Sequence, residues 1–257
     1  MLLVLQIEDR HDELLESMIR RNIFASKKYG FAHVFLERST EYNVPQYWSK
    51  VFELSRLMHA NKDYDLFMWI DSDATFRNLS EMNPEALASK FPTKHMWISP
   101  DAPMYPSPFC AGSFLVRNTV SGRAIIDKWK SLYDPSMWTK TDGGKWVGKC
   151  EFASHCYEQG AFVDFFLSDG EVADDSWGIQ KLPYFFFNEV LCDNPNPECL
   201  TFHLAGKYKK TCDCSKAFSK EPFVEESTNF GLAIAVLVFL IVLVFMKKMK
   251  SVRSNSQ

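Results

Sequence analysis

The chain has 257 residues, 46% of them hydrophobic and 15% aromatic, enough for one domain with a full core plus appendages rather than for two domains. Thirty-two acidic residues against 29 lysines and arginines leave a formal net charge of -3. That balance argues against a polyanion-coating protein or a disordered chain, and no nucleic-acid partner is expected.

Leu2 to Ile7 is a short apolar run ended by Glu8, Asp9 and Arg10, and it reads as a buried opening strand. Asp12 is placed to cap a helix carrying Leu14, Leu15, Met18, Ile19 and Ile23, which Tyr29-Gly30 closes before a strand from Ala32 to Leu36. A loop through Asn43-Val44-Pro45 leads into a helix of about 15 residues with Trp48, Val51, Phe52, Leu54, Leu57 and Met58 on its apolar face. Leu66-Phe67-Met68-Trp69-Ile70 then has no polar interruption, the pattern of a central strand buried on both faces, and runs straight into Asp71-Ser72-Asp73. Further on, the pattern predicts a helix near Pro84 to Lys90, a strand at Met96 to Ile98 and a proline-rich loop from Pro100 to Pro108. A strand at Phe114 to Val116 follows, then a helix capped by Thr119 or Ser121 and running to Lys130. Tyr157 to Phe166 reads as a helix, Leu182 to Phe187 as a strand, and Thr201 to Leu204 as a last short strand. This alternation is that of an α/β sandwich.

The C-terminal part differs. A domain over 1–218 gives way to a polar linker over 219–229, and Phe230 to Met246 is then apolar without a charge. Lys247, Lys248, Lys250 and Arg253 follow in a basic tail over 247–257. The apolar run reads as a single C-terminal transmembrane helix whose flanking cations snorkel to headgroups. The opening MLLVLQIEDR lacks the basic segment and the long apolar run of a signal peptide, which places the domain in the cytosol. The basic tail argues for the lumenal side by the positive-inside tendency. The two signals conflict, and the first is given slightly more weight. Seven cysteines cannot all pair within one chain. Cys192, Cys199, Cys212 and Cys214 cluster without a strong zinc spacing, and ordinary thiols are preferred to a disulfide or a metal knuckle.

In an open α/β sheet, ligands bind beyond the carboxyl ends of the strands. Asp71 and Asp73 stand at such an end, and two carboxylates one residue apart suit a hard cation, Mn²⁺ or Mg²⁺, that also takes phosphate oxygens. Such a cation neutralises charge growing on a diphosphate leaving group. A D-x-D pair also occurs as a turn former or helix cap. His203 offers a nitrogen for the same metal, and Gly206 and Lys207 offer backbone and an ammonium for a pyrophosphate.

The run from Tyr64 to Phe76 resembles the metal-binding strand of the galactosyl-, mannosyl- and xylosyltransferases of glycosyltransferase family 34. Ala111-Gly112-Ser113-Phe114-Leu115-Val116-Arg117-Asn118, then Glu158-Gln159, then His203-Leu204-Ala205-Gly206 recur in the family's order. The resemblance spans roughly Leu2 to Lys210 and implies a GT-A fold, a Rossmann-like α/β sandwich. It implies that Asp71, Asp73 and His203 hold Mn²⁺ against a nucleotide-sugar diphosphate, and that Lys50 meets the nucleotide. Glu158 and Gln159 are expected to face the anomeric carbon or the acceptor. The donor implied is a UDP-hexose or UDP-pentose, and the acceptor a hydroxyl of a glycan or glycoprotein. Glu158-Gln159 is followed here by Gly160-Ala161-Phe162, where the family has small acidic or hydroxyl-bearing residues. That leaves the stereochemical outcome open, with Asp164 and then Glu158 as base candidates for an inverting enzyme. Two other readings compete. A phosphatase of the haloacid dehalogenase type would use Asp71 as nucleophile and Asp73 as acid, with Asp174-Asp175 as magnesium ligands. An inactive transferase-like domain would serve as a membrane-tethered binding module.

Overall fold

The computed structural model describes residues 1–10, 12–37, 42–77, 79, 83–190 and 198–204. All of them belong to the first of two units of the chain, Met1–Ala217. The linker, the apolar run at 230–246 and the basic tail lie outside the described residues. Among the described residues no helix is long and apolar enough to cross a membrane.

The chain opens β1 (Leu2–Ile7), α1 (Glu13–Tyr29), β2 (Ala32–Leu36), α2 (Gln46–Ala60) and β3 (Leu66–Ile70). It continues with β4 (Ala74–Phe76), α3 (Pro84–Lys90), β5 (Met96–Ile98), β6 (Ser113–Arg117) and α4 (Val120–Ser131). The last described elements are β7 (Trp138–Lys140), β8 (Trp146–Gly148), α5 (Glu158–Phe166), β9 (Leu167–Ser168), β10 (Glu171–Val172), β11 (Ile179–Lys181), α6 (Phe185–Asn188) and β12 (Thr201–His203). Helix ends follow their capping chemistry. The Asp12 carboxylate accepts from the N–H groups of Leu14 and Leu15, and Gly30 ends α1 at φ 74°, in the left-handed region that glycine enters without steric cost. Ile23, expected on the buried face of α1, is 42% exposed.

Six strands form one sheet in the order β11-β5-β6-β3-β1-β2. All run parallel except β6, which is antiparallel to both of its neighbours. Alternation along each strand divides the core in two. Leu3, Leu5, Phe67 and Trp69 pack on one face with Trp48, Val51 and Leu54 of α2, Ile125 and Trp129 of α4, and Phe162 of α5. Leu2, Val4, Leu66, Met68 and Ile70 pack on the other with Leu87 of α3 and Phe186 and Phe187 of α6. The expected unbroken strand Leu66–Ile70 is accordingly buried on both sides and lies inside the sheet. This three-layer, mainly parallel arrangement fits the GT-A class of α/β fold expected from the sequence.

The expected strand Leu182 to Phe187 is corrected. Pairing with β5 ends at Lys181, and after one more bond from the Leu182 N–H to Ile98, Pro183 has no N–H to continue the ladder. The chain turns into α6 instead, which buries Phe186 and Phe187. The sequence left the cysteine pairing open: Cys150 and Cys156 form a disulfide, while Cys110 and Cys199 are free and buried. Cys192, Cys212 and Cys214 lie outside the described residues.

Beyond the main sheet, β4 pairs antiparallel with β12. The other edge of β4 is met by a side chain: the fully buried Asn22 of α1 donates to Ala74 O at 2.9 Å and accepts from the Phe76 N–H at 2.9 Å and from Thr75 Oγ1 at 3.0 Å. Replacing Asn22 by Leu leaves a buried carbonyl and a buried N–H without partners, each costing about 1–3 kcal/mol. We expect Asn22→Leu to lower the unfolding free energy by about 2–4 kcal/mol, measured by urea denaturation.

Candidate metal centre and active site

The turn from β3 to β4 carries the acidic pair. Its backbone is held by the Asp71 N–H donating to Gly112 O at 2.7 Å and by Ala74 N–H donating to Asp71 O at 3.0 Å. Trp69 and Asp71, two residues apart along the strand direction, share the face that meets α2. The Trp69 indole donates to Asp71 Oδ1 at 2.6 Å, and Lys50 Nζ reaches the same oxygen at 3.1 Å. Behind the turn, Ser72 Oγ donates to Glu8 Oε2, and Arg10 is bonded to the same carboxylate at 2.6 and 2.8 Å. Burial opposes the Glu8 charge, but the bonds from Arg10 and Ser72 outweigh it and hold its pKa at about 2.

His203 reaches this turn because β12 pairs with β4 in the register that sets it opposite Ala74. Its Nε2 lies 3.2 Å from Asp73 Oδ1. The ring passes directly over Gly112, where a Cβ would stand 2.3 Å from His203 Cε1, so only glycine fits. On the far side of the ring, Nδ1 faces Asn188 Oδ1 at 3.3 Å and Cys110 Sγ at 3.7 Å. Burial opposes the imidazolium, but the neighbouring Asp73 carboxylate raises the His203 pKa well above its ordinary value. Ligand atoms of Asp71, Asp73 and His203 all lie within 4.8 Å of one another. Octahedral bonds of about 2.1 Å put neighbouring donors about 3 Å apart and opposite donors about 4.2 Å apart, so the His203–Asp73 separation already matches one edge of such a shell. The two carboxylates match the oxygen preference of Mn²⁺ or Mg²⁺, the imidazole adds a nitrogen donor, and these residues fit a divalent cation.

Lys50 is placed differently from the expected meeting with the nucleotide. It is 7% exposed, and its ammonium is enclosed by Asp71 Oδ1 at 3.1 Å, Ala111 O at 3.1 Å and Glu158 Oε1 at 3.3 Å. Three acceptors for three N–H bonds engage the whole donor capacity of the group. Burial works against this charge, yet Asp71 and Glu158 together hold the Lys50 pKa above its ordinary value. Lys50 therefore orients carboxylates within the protein. Glu158, 4% exposed, has its charge turned toward Lys50, and burial pushes its pKa upward. Gln159, the next residue on α5, accepts from the Ala111 N–H at 2.9 Å through Oε1 and donates to Ser107 Oγ at 3.2 Å through Nε2.

The structure thus gathers Asp71, Asp73, His203, Lys50, Glu158 and Gln159 at one edge of the sheet. Asp164 is not gathered with them: it is exposed on α5, five residues beyond Gln159 and about 140° further around the helix. Gly206 and Lys207 lie outside the described residues. Asp174 caps a short 3-10 turn and Asp175 pairs with Lys94 at 2.6 Å, at the N-terminal end of β5 and β11. Since β3 and β5 both run antiparallel to β6, that is the end of the sheet opposite Asp71, which removes the magnesium ligands of the phosphatase reading.

Two site residues had no sequence signal. Asp101, in the proline-rich loop after β5, interacts with Gln159 and Cys110, and its burial raises its pKa. Asn188, behind His203, directly follows the segment expected as a strand and is the last residue of α6. The proline-rich loop thus reaches Gln159 through Ser107 and Asp101.

No family model matches the sequence, and no curated protein matches it. Solved structures do. A glycosyltransferase involved in the glycosylation of the major capsid of PBCV-1 superimposes with a TM-score of 0.60 at 12% identity, over 81% of this chain and 95% of that one. The galactosyltransferase LgtC, in complex with donor and acceptor sugar analogues, gives 0.44 at 12% identity over 80% and 88%. A Drosophila β-1,4-galactosyltransferase 7 mutant, in complex with manganese, UDP-Gal and xylobiose, gives 0.39 at 15% identity over 88% and 78%. The first of these likenesses establishes that the chain shares its fold with a glycosyltransferase of the GT-A type.

Proposed function

We propose that the chain is a metal-dependent glycosyltransferase that moves a sugar from a nucleotide-diphosphate donor, a UDP-hexose or UDP-pentose, to a hydroxyl of a glycan or glycoprotein. The observation that carries this reading is the grouping of Asp71, Asp73 and His203 at the carboxyl edge of the sheet, on a fold shared with a glycosyltransferase. Mn²⁺ or Mg²⁺ bound there would supply positive charge for the diphosphate leaving group. Asp71 is held for that task by Trp69 and Lys50, and Asp73 by His203. Gln159, fixed by Ala111 and Ser107, presents its amide beside the reacting sugar. Glu158 is locked to Lys50 and Asp164 stands apart, so neither is disposed as a base for the acceptor hydroxyl. This supports a retaining course in which the departing phosphate takes the acceptor's proton. Asp101, beside Gln159, is the carboxyl that an inverting enzyme would use.

The domain is anchored, in this reading, by the apolar run at 230–246. The Cys150–Cys156 disulfide supports a domain on the oxidising, lumenal side, and the basic tail then lies on the cytoplasmic face in accord with the positive-inside tendency. Protease added outside sealed microsomes should spare the domain; its digestion there would put it in the cytosol.

A screen of nucleotide sugars for Mn²⁺-dependent hydrolysis should yield at least one donor, with Asp73→Asn inactive and still folded. His203→Ala should weaken Mn²⁺ binding about 10- to 100-fold in a spectroscopic titration. Activity of Asp73→Asn in excess chelator, or an unchanged titration for His203→Ala, would remove the metal site. Once a donor is known, proton NMR of the product should show the donor's anomeric configuration preserved. Asp101→Asn should then keep turnover within a factor of about 10; an inverted product together with a loss of roughly 100- to 10,000-fold in Asp101→Asn would establish inversion.

A further inference from the structure

Beside the acidic site lies a group of aromatic rings that the metal and diphosphate chemistry does not use. Tyr157 precedes Glu158 as the N-cap residue of α5, and Tyr47 lies one helical turn before Lys50 on α2. The two rings are 5.0 Å apart, and Trp138 of β7 stands 4.9 Å from Tyr157. Phe152 sits over this pair, 5.8 Å from Tyr47 and 5.2 Å from Tyr157, and is itself 71% exposed. Burial, with Tyr157 and Glu158 nearby, raises the Tyr47 pKa, so its hydroxyl is within electrostatic reach of the candidate site.

A single exposed phenylalanine is ordinary on a protein surface. Phe152 differs in how it is held. The Cys150–Cys156 disulfide closes its loop, and Ala153 beside it adopts φ 60°, a conformation a residue with a Cβ takes only when its surroundings impose it. The Ser154 N–H donates to Glu151 O at 3.2 Å, and the Tyr157 N–H to Ser154 O at 2.8 Å. The loop also presses on α5 so closely that a Cβ at Gly160 would meet Ser154 O at 2.2 Å. A rigid mount for an exposed ring removes the ordering cost of binding to it.

We infer that the exposed ring of Phe152, backed edge-on by Tyr47 and Tyr157, is a stacking platform for a neutral sugar ring of the acceptor. This rests on the transferase reading above. The C–H face of a pyranose is apolar and carries the partial positive charge that an aromatic face attracts. Position favours the acceptor over the nucleobase. In a donor, the diphosphate separates the nucleoside from the transferred sugar, so with diphosphate at Asp71 and Asp73 and the sugar at Gln159, the nucleoside lies on the side away from Gln159. Phe152 and Tyr157 belong to the segment that leads directly into Glu158-Gln159, and Gln159 is the residue that the transferase reading sets beside the sugar.

Saturation-transfer NMR on the full-length protein in detergent, with cellobiose, lactose and mannobiose as probes, tests the platform. At least one disaccharide should receive saturation on its C–H protons. Phe152→Ala should weaken its affinity at least tenfold, and Phe152→Trp should retain it. Binding of UDP with Mn²⁺, measured by calorimetry on the same samples, should be unchanged in Phe152→Ala. Absence of transfer to all three disaccharides, or equal affinity in Phe152→Ala, would overturn the platform; so would a loss of UDP affinity in that variant, which would assign the rings to the nucleobase. Failure of the wild-type protein to bind UDP with Mn²⁺ would instead strike the transferase reading.

Discussion

A buried ammonium has to be matched by acceptors, and the Lys50 charge is where that demand organises the site. Its three partners come from three places: Asp71 at the end of β3, Glu158 at the start of α5, and the Ala111 carbonyl on the approach to β6. Lys50 itself comes from α2. One cation thus ties together the elements that carry the acidic turn and Gln159. Removing one partner of such a group leaves uncompensated charge in the interior, a far larger cost than an exposed ion pair would represent. The arrangement therefore holds the Asp71 carboxylate of the candidate metal site in place, and Trp69, with its indole on the same Asp71 oxygen, adds a second constraint.

The antiparallel strand β6 makes this possible. In an all-parallel sheet, the carboxyl edge receives only strand ends that are leaving the sheet. Here the incoming residues Ala111 and Gly112 stand at that edge too, between the ends of β3 and β5. Ala111 supplies a carbonyl to Lys50 and an N–H to Gln159, while Gly112 supplies a carbonyl to Asp71 and an uncovered surface to His203. Backbone groups that would pair in a longer strand become ligands for side chains.

Local signals carried much of this into the sequence. Five uninterrupted apolar residues from Leu66 to Ile70 can be buried on both faces only inside a sheet, and Asp12 and Gly30 mark the ends of α1 by their capping chemistry. The acid pair was legible because it directly follows that strand. What was not legible depends on contacts between distant segments. Nothing near His203 in sequence indicates that β12 will pair with β4, and an ammonium's enclosure by Glu158 cannot be read from Lys50 alone. The run Leu182 to Phe187 is equally apolar as helix or strand, and Pro183 decided it through one missing donor. Seven cysteines leave the connectivity open, so the six-residue spacing of Cys150 and Cys156 carried no signal.

The pairing of β12 with β4 also separates the folding of the core from the completion of the site in time. Its two strands are more than a hundred residues apart, whereas β1, β2 and β3 and their helices find one another early in the chain. During synthesis at about 5–20 residues per second, the last strand of the main sheet, which ends at Lys181, precedes His203 by about 1–4 s. A chain stopped just before Thr201 would retain most of its buried apolar residues and lose His203 beside Asp73. The candidate cation site is thus completed only when the strand that carries His203 pairs with β4.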